Sequence, residues 1–225
     1  MSGVGGAITP PAAVLFDCDG VLADTEAMHN RILAEEITAL GWPMDAATCQ
    51  RTFLGLAWEA IQPHIEAKLG PGSVPPSFIV TVVRRVVAAL EADVPPIPGV
   101  MAALAAIQAA GIPVAVASNS SRAELVTKLR VMGLDATFGG RAFCVQDVDR
   151  PKPAPDMYLR AAEACGVDPA RCVVVEDSVQ GSRAGMAAGA RVLGFAPHGP
   201  GPLDRLGIET FADMRDLPRL IGITP

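Results

Sequence analysis

Aromatic side chains are scarce in this sequence: seven Phe, two Trp and one Tyr in 225 residues. The core must therefore be built from Ala, Val, Leu and Ile. Basic charge is in deficit too, with 18 Lys and Arg against 24 Asp and Glu and a net charge of −6. That balance argues against nucleic acid as a partner and against a polybasic membrane patch. Cysteines are few and odd in number: Cys18, Cys49, Cys144, Cys165 and Cys172, with no C-x-x-C. Neither a disulfide framework nor a zinc ribbon is expected, and the five read as reduced thiols of a cytoplasmic protein. No long apolar run survives intact. The most membrane-like stretch, Ile97 to Ser118, is broken by Pro98, Gly99, Gly111 and Pro113, so no membrane span is expected. Met1 to Pro11 lacks a basic segment and reads as a loose Gly-rich tail, not a signal peptide.

What is present is apolar bulk and many turns. Half of the residues are hydrophobic, which excludes disorder throughout. The 22 Gly and 20 Pro follow no fixed period and read as short turns. The length fits one to two domains.

The apolar run Ala12 to Phe16 meets an abrupt acidic cluster, Asp17-Cys-Asp-Gly20. A continuous apolar run of this kind suits a strand covered on both faces. From about Met28 to Leu90 the texture becomes helical. Apolar residues recur at helix spacing (Ile32, Leu33, Ile37, Leu40; Ile61, Ile65, Leu69; Val82, Val86, Leu90), and three or four helices fit. The segment ends in the stiff run Val94-Pro-Pro-Ile-Pro-Gly99. Beyond it, helices and apolar strands alternate: strands near 113–117, 142–145, 172–175 and 191–195 each follow a helical stretch. This order predicts an α/β fold, a Rossmann-like parallel sheet covered on both sides. The helical segment is then an insertion after the first strand. The expected division is a core of residues 1–26 and 96–225 with a small α-helical cap of residues 27–95.

In open α/β sheets ligands sit beyond the carboxyl ends of the strands. Those ends carry Asp17 and Asp19, Ser118-Asn119, and Glu176-Asp177, with Lys152 in a Pro-Lys-Pro loop just before the last. Converging carboxylates repel one another and call for a cation. Oxygen ligands without His or Cys suit Mg²⁺, which also binds substrate phosphate. With the Lys152 charge and the Ser118 hydroxyl, the set describes a site for a transferring phosphoryl group. A carboxylate beside the ion can attack phosphorus, and a second, two residues on, can handle the leaving-group proton.

Asp17-Cys-Asp-Gly-Val-Leu-Ala-Asp-Thr-Glu26, Ser118-Asn119, Lys152 and Glu176-Asp177 resemble, in order, the four motifs of the haloacid dehalogenase superfamily. The resemblance spans nearly the whole chain after residue 12 and is closest to the β-phosphoglucomutase-like phosphatases. It implies that Asp17 is nucleophile and metal ligand. Asp19 would be general acid/base, lending its backbone carbonyl to the metal. Ser118 and Asn119 would hold phosphoryl oxygens, Lys152 would bridge nucleophile and phosphoryl group, and Asp177 and Glu176 would complete the Mg²⁺ site. Thr25 and His29 match cap-hinge positions that support Asp19. The implied activity is Mg²⁺-dependent hydrolysis of a small phosphorylated metabolite, a sugar or sugar-acid phosphate; the fold can work as a monomer, and a monomer is expected.

Each residue also has a plainer reading. Asp17 and Asp19 suit a turn; Lys152 suits a solvated surface; Ser118-Asn119-Ser120-Ser121 and Glu176-Asp177 suit helix N-termini; His29 suits a packed helix position. His64 and His198 carry no signal. Cys18 lacks an evident His partner for a nucleophilic role, and Arg84-Arg85 reads as a solvated helix face. The rival activity is that of a β-phosphoglucomutase. The mutases carry a cap Arg after the glycine matched by Gly55, and Trp58 stands there instead, which removes the bidentate partner for a distal phosphate. A dehalogenase would not need Asp19 or Glu176-Asp177. A phosphonatase would need a cap lysine that Lys68 does not convincingly match. A non-catalytic sugar-phosphate-binding protein would usually have lost Asp17 or Asp19.

Overall fold

A computed structural model describes residues 9–53 and 58–223, without the side chains of 58–60. Most of the tail read at 1–11, together with Gly55 and the Trp58 side chain, lies outside the described residues. The chain runs β1 (Ala13–Phe16), α1 (Glu26–Ala39), α2 (Ala46–Phe53), α3 (Trp58–Leu69), α4 (Phe78–Ala92), α5 (Val100–Ala109) and β2 (Val114–Ala117). It continues with α6 (Arg122–Val131), α7 (Asp135–Phe138), β3 (Ala142–Phe143), α8 (Asp156–Ala164), β4 (Cys172–Glu176) and α9 (Val179–Ala187). The last elements are β5 (Arg191–Phe195), β6 (Glu209–Phe211) and α10 (Leu217–Leu220).

The sheet has six strands in the order β3-β2-β1-β4-β5-β6, all parallel. Strand order reverses between β1 and β4, and a crevice opens there at the carboxyl ends. Alternate residues serve opposite faces, as the two-residue period of a strand requires. Val14, Phe16, Val116 and Val175 enter one core cluster. Leu15, Ala115, Ala117 and Val174 enter the other, beneath Met157, Tyr158 and Ala161 of α8. Full burial of Phe16 alone stabilises by about 1.5–3 kcal/mol.

Two strands differ from the sequence reading. The third strand stops at Phe143, because the Cys144 backbone N–H turns to donate to the Asp147 carboxylate at 2.9 Å. Strand β6, not foreseen, is a three-residue edge pairing only with β5, too short to register as a periodic pattern.

Helices α1 to α4 occupy the insertion. Their apolar stripes, such as Phe78, Val82, Val86 and Leu90 of α4, are buried. The two passages joining them to the sheet run side by side. Asp24 N–H donates to Pro95 O at 2.8 Å, and Ile97 N–H donates to Leu22 O at 2.9 Å. No described helix is long and apolar enough to cross a membrane.

Candidate active site

Asp17 follows β1 directly, and its N–H donates to Val175 O at 3.0 Å, extending the pairing with β4 by one residue. That single bond sets the Asp17 side chain beside Glu176, the last residue of β4. Between them lies Lys152. Its Nζ donates to Asp17 Oδ1 at 2.5 Å, to Glu176 Oε1 at 2.7 Å and to the Tyr158 hydroxyl at 2.9 Å. Tyr158 in turn donates to Glu176 Oε1 at 3.0 Å. Asp17, Lys152, Tyr158 and Glu176 are all buried. A buried ammonium with two carboxylates is tolerable only because every charge has a partner.

Lys152 is placed by its backbone as well as by its charge. The Asn119 carboxamide receives the Lys152 N–H at 3.1 Å and donates to the Lys152 carbonyl at 3.2 Å. The Asn119 side chain is thus engaged by the lysine loop. Ser118, just past β2, is buried and receives the Ser120 N–H on its Oγ at 3.0 Å.

Asp17, Glu176 and Asp177 each bring a carboxylate oxygen within 4.8 Å of the others, the one such acidic cluster among the described residues. Hard oxygen donors at this spacing fit a small divalent cation. Gly20, at φ +78°, makes the cluster possible, since a Cβ there would lie 2.0 Å from Asp177 Oδ2. A groove of about 580 Å³, bordered by Gly20, Asp24, Glu26 and Asp177, opens the cluster to solvent.

The electrostatics match this geometry. Loss of water raises the Asp17 carboxyl to about 7. Lys152 opposes that rise, while Glu176 and Asp19 add to it. Asp177 stands at the open rim, but its carboxyl points inward. Desolvation first, then the charges of Glu176 and Asp17, push it well above the usual carboxylate range. Burial would lower Lys152, but Asp17 and Glu176 outweigh it and hold the ammonium charged. Two neighbouring carboxyls raised together by burial and by one another's charge mark a pocket short of positive charge, the deficit a bound cation would fill.

Asp19 stands apart from the cluster. Its carboxylate accepts from Thr25 Oγ1 at 2.5 Å, Ser120 Oγ at 2.8 Å and Ser118 Oγ at 3.4 Å. It also takes the Lys128 ammonium on both oxygens, at 2.5 and 2.6 Å. Burial would raise its pKa, but Lys128, and then His29, hold it well below the ordinary range. His29 comes near without closing a hydrogen bond, its Nε2 lying 3.6 Å from Glu124 Oε1 and otherwise unpartnered. Burial lowers the His29 pKa first, Asp19 resisting and Lys128 assisting. Cys18 is fully buried and burial raises its thiol pKa, so it stays a neutral thiol.

Sequence reasoning missed Lys128, Ser120 and Tyr158. Two signals were available: a lysine beside Leu129 on a buried helical stripe, and the sole Tyr of the chain six residues after Lys152.

The Glu176 carboxylate is also fixed from behind. Its Oε2 accepts from the Ser178 N–H at 3.0 Å and from Ser178 Oγ at 2.9 Å, and Ser178 caps α9 by receiving the Gly181 N–H. A Cβ on Gly181 would fall 1.5 Å from Glu176 Oε1. Gly181→Ala is therefore expected to displace that carboxylate from Lys152 and to cost about 1–3 kcal/mol of stability. Urea unfolding of the variant checks this, and an unchanged midpoint would contradict the placement of Glu176.

A sequence model of the haloacid dehalogenase-like hydrolases matches residues 11–189. The chain is 30% identical over 211 residues to 6-phosphogluconate phosphatase of Escherichia coli K12, covering 92% of this chain and 93% of that protein. It is 34% identical over 197 residues to protein CbbY of Rhodobacter capsulatus, covering 80% and 83%. A crystal structure of a haloacid dehalogenase family hydrolase from Deinococcus radiodurans, with bound phosphate and sodium, superposes with a TM-score of 0.77. It shares 35% identity, covering 96% of this chain and 98% of that one.

Proposed function

Since the chain belongs to the haloacid dehalogenase-like hydrolases, we propose that it is a Mg²⁺-dependent phosphatase of a small phosphorylated sugar or sugar acid, working through an aspartyl-phosphate. The observation that carries this reading is the buried Asp17–Lys152–Glu176 set with Asp177 at its open side. The relatives named for 6-phosphogluconate and for hexitol phosphates favour the sugar class.

Asp17 attacks phosphorus through its free carboxylate oxygen, and the bond to the leaving oxygen breaks on the opposite side. Lys152 neutralises charge beside the attacked phosphoryl group, and the Ser118 hydroxyl and the Asn119 N–H donate to phosphoryl oxygens. Asp17, Glu176 and Asp177, with the Asp19 carbonyl, would hold Mg²⁺. When bound, the ion supplies charge neutralisation for the phosphoryl oxygens and for the carboxylates around it. Asp19 serves both halves of the reaction. A bound phosphate dianion adds negative charge beside it and lifts its pKa, so that it carries a proton to the leaving oxygen. It then takes a proton from the water that hydrolyses the aspartyl-phosphate, restoring Asp17 and releasing phosphate.

Residues 27–95 act as a cap over this edge of the sheet, pivoting where Asp24 meets Pro95 and expelling water on closure. Free cysteines throughout suit a cytoplasmic enzyme, and we read it as a monomer.

A panel of sugar and sugar-acid phosphates assayed for phosphate release, with Mg²⁺ and with chelator, tests the reading. At least one sugar-class member is expected to turn over with a kcat/KM in the range of about 10⁴ M⁻¹s⁻¹ or above, and chelation is expected to abolish it. Isomerisation of β-glucose 1-phosphate without phosphate release would instead establish a mutase.

A further inference from the structure

We propose that Lys128 is the positioning residue for Asp19, holding its carboxylate over the phosphoryl pocket so that it can reach the leaving oxygen. The inference rests on the phosphatase reading and extends it to a residue outside the four motifs.

Lys128 projects from the last turn of α6 and is fully buried. Isolating an ammonium from water is strongly unfavourable unless close partners compensate. Its neighbours Leu125 and Leu129 are core residues, so an apolar side chain would serve the packing at this position. The ammonium instead spans both Asp19 oxygens, at 2.5 and 2.6 Å, and the Ser120 hydroxyl at 2.8 Å. The Ser120 hydroxyl donates in turn to Asp19 Oδ2 at 2.8 Å, and the Thr25 hydroxyl donates to Oδ1 at 2.5 Å. Donors from α6, from the loop after β2 and from the start of α1 thus fix both oxygens of one carboxylate in direction and depth.

The fixed position is a productive one. Oδ2 lies 3.4 Å from Ser118 Oγ, the hydroxyl expected to meet a phosphoryl oxygen, which places the carboxylate at the edge of the pocket that the ester oxygen must cross. Held there, Asp19 needs no search of its rotamers when substrate arrives, and that preorganisation is what proton transfer to a departing oxygen requires. A lysine that merely stapled α6 to the first loop would affect every substrate alike. One that positions a proton donor matters most where the leaving oxygen most needs a proton.

The experiment compares kcat/KM of wild type and Lys128→Met across phosphate monoesters, from 2,4-dinitrophenyl phosphate, whose leaving group departs unaided, to β-glycerophosphate, whose alkoxide does not. The expected loss is about 100-fold for the alkyl ester and less than about 5-fold for the dinitrophenyl ester. An equal loss for both, or no loss, overturns the proposal. Should Lys128→Met fail to fold, Ser120→Ala reads the same trend. It removes one donor from Asp19 and leaves the lysine in place, with a loss of about 10-fold expected on the alkyl ester alone. A wild-type enzyme that hydrolyses none of these esters nor any sugar phosphate defeats the phosphatase reading itself, and the inference with it.

Discussion

Asp17→Asn is expected to reduce phosphate release by at least about 10⁴-fold, the scale on which removal of a nucleophile acts, while leaving the fold intact. The amide is isosteric, keeps the backbone bond to Val175 and can still accept from Lys152. It cannot attack phosphorus, since a neutral amide oxygen is a poor nucleophile and no base stands ready to activate it. Stability should move the other way. The Asp17 carboxyl is raised to about 7 by burial, above its unfolded value near 3.8. The stability this group contributes is therefore full below the unfolded value and is lost as pH rises through about 7. Asn carries no such loss. In chelator, the melting temperature of the variant should match wild type near pH 4 and exceed it by pH 8. A variant that melts lower than wild type at pH 8 would mean that the charged Asp17–Lys152 pair stabilises the fold outright. Residual Mg²⁺-dependent turnover above about one part in 10³ would remove Asp17 from the nucleophile role.

Much of the fold, and of the convergence of polar residues at one sheet edge, was legible in the sequence alone. Apolar runs broken at their carboxyl ends by Asp17, Ser118 and Glu176 locate a parallel sheet edge, because strands buried on both faces leave polarity nowhere else to go. The helical period of residues 28–90 separates the insertion from the sheet for the same reason of burial. What escaped were contacts that sequence distance hides. Lys128 lies 109 residues from Asp19, and its one local signal, a place beside Leu129 on a buried helical stripe, does not name its partner. Tyr158 reads as a core aromatic, which it is, and only the folded chain brings its hydroxyl to Glu176. Asn119 is expected to hold phosphoryl oxygens, yet its carboxamide is engaged by the Lys152 backbone. That use depends on how the loop before α8 returns to β2, a matter of tertiary geometry with no local signature. Strand β6 fails for a different reason, since three residues on an edge cannot display a period.

Lys152→Met is expected to lower turnover by about 10³-fold, within the range seen when a preorganised charge donor to the transition state is lost, and to weaken the fold as well. Removing one member of a buried ion pair typically costs about 3–5 kcal/mol, because the remaining charge stays buried without a partner. Here two carboxylates, Asp17 and Glu176, lose the same ammonium, and the Tyr158 hydroxyl loses a donor. Methionine fits the slot between Asp17 and the Tyr158 ring, over which the ammonium stands at 4.6 Å, so the loss is one of charge more than of packing. Its pH dependence identifies the cause. With Lys152 gone, the strongest influence lowering the Asp17 pKa disappears, and the carboxyl keeps its proton to higher pH than in wild type. A folded pKa raised further above the unfolded one extends upward the range over which stability falls with pH. Below about 7 both proteins carry Asp17 protonated and their stabilities should run roughly parallel. Above about 7 the gap should widen by up to about 1.4 kcal/mol per pH unit until the variant also ionises. Urea unfolding in chelator at pH 5.5 and pH 8 measures this, and a gap that stays constant between the two would show that Asp17 does not depend on Lys152 for its charge. Added Mg²⁺ should narrow the gap at pH 8 more than at pH 5.5, since a cation bound by Asp17, Glu176 and Asp177 replaces part of the missing positive charge and is resisted by protonated ligands. Recovery of stability without recovery of turnover would then separate the two uses of this lysine: holding the carboxylates together, and meeting the phosphoryl group.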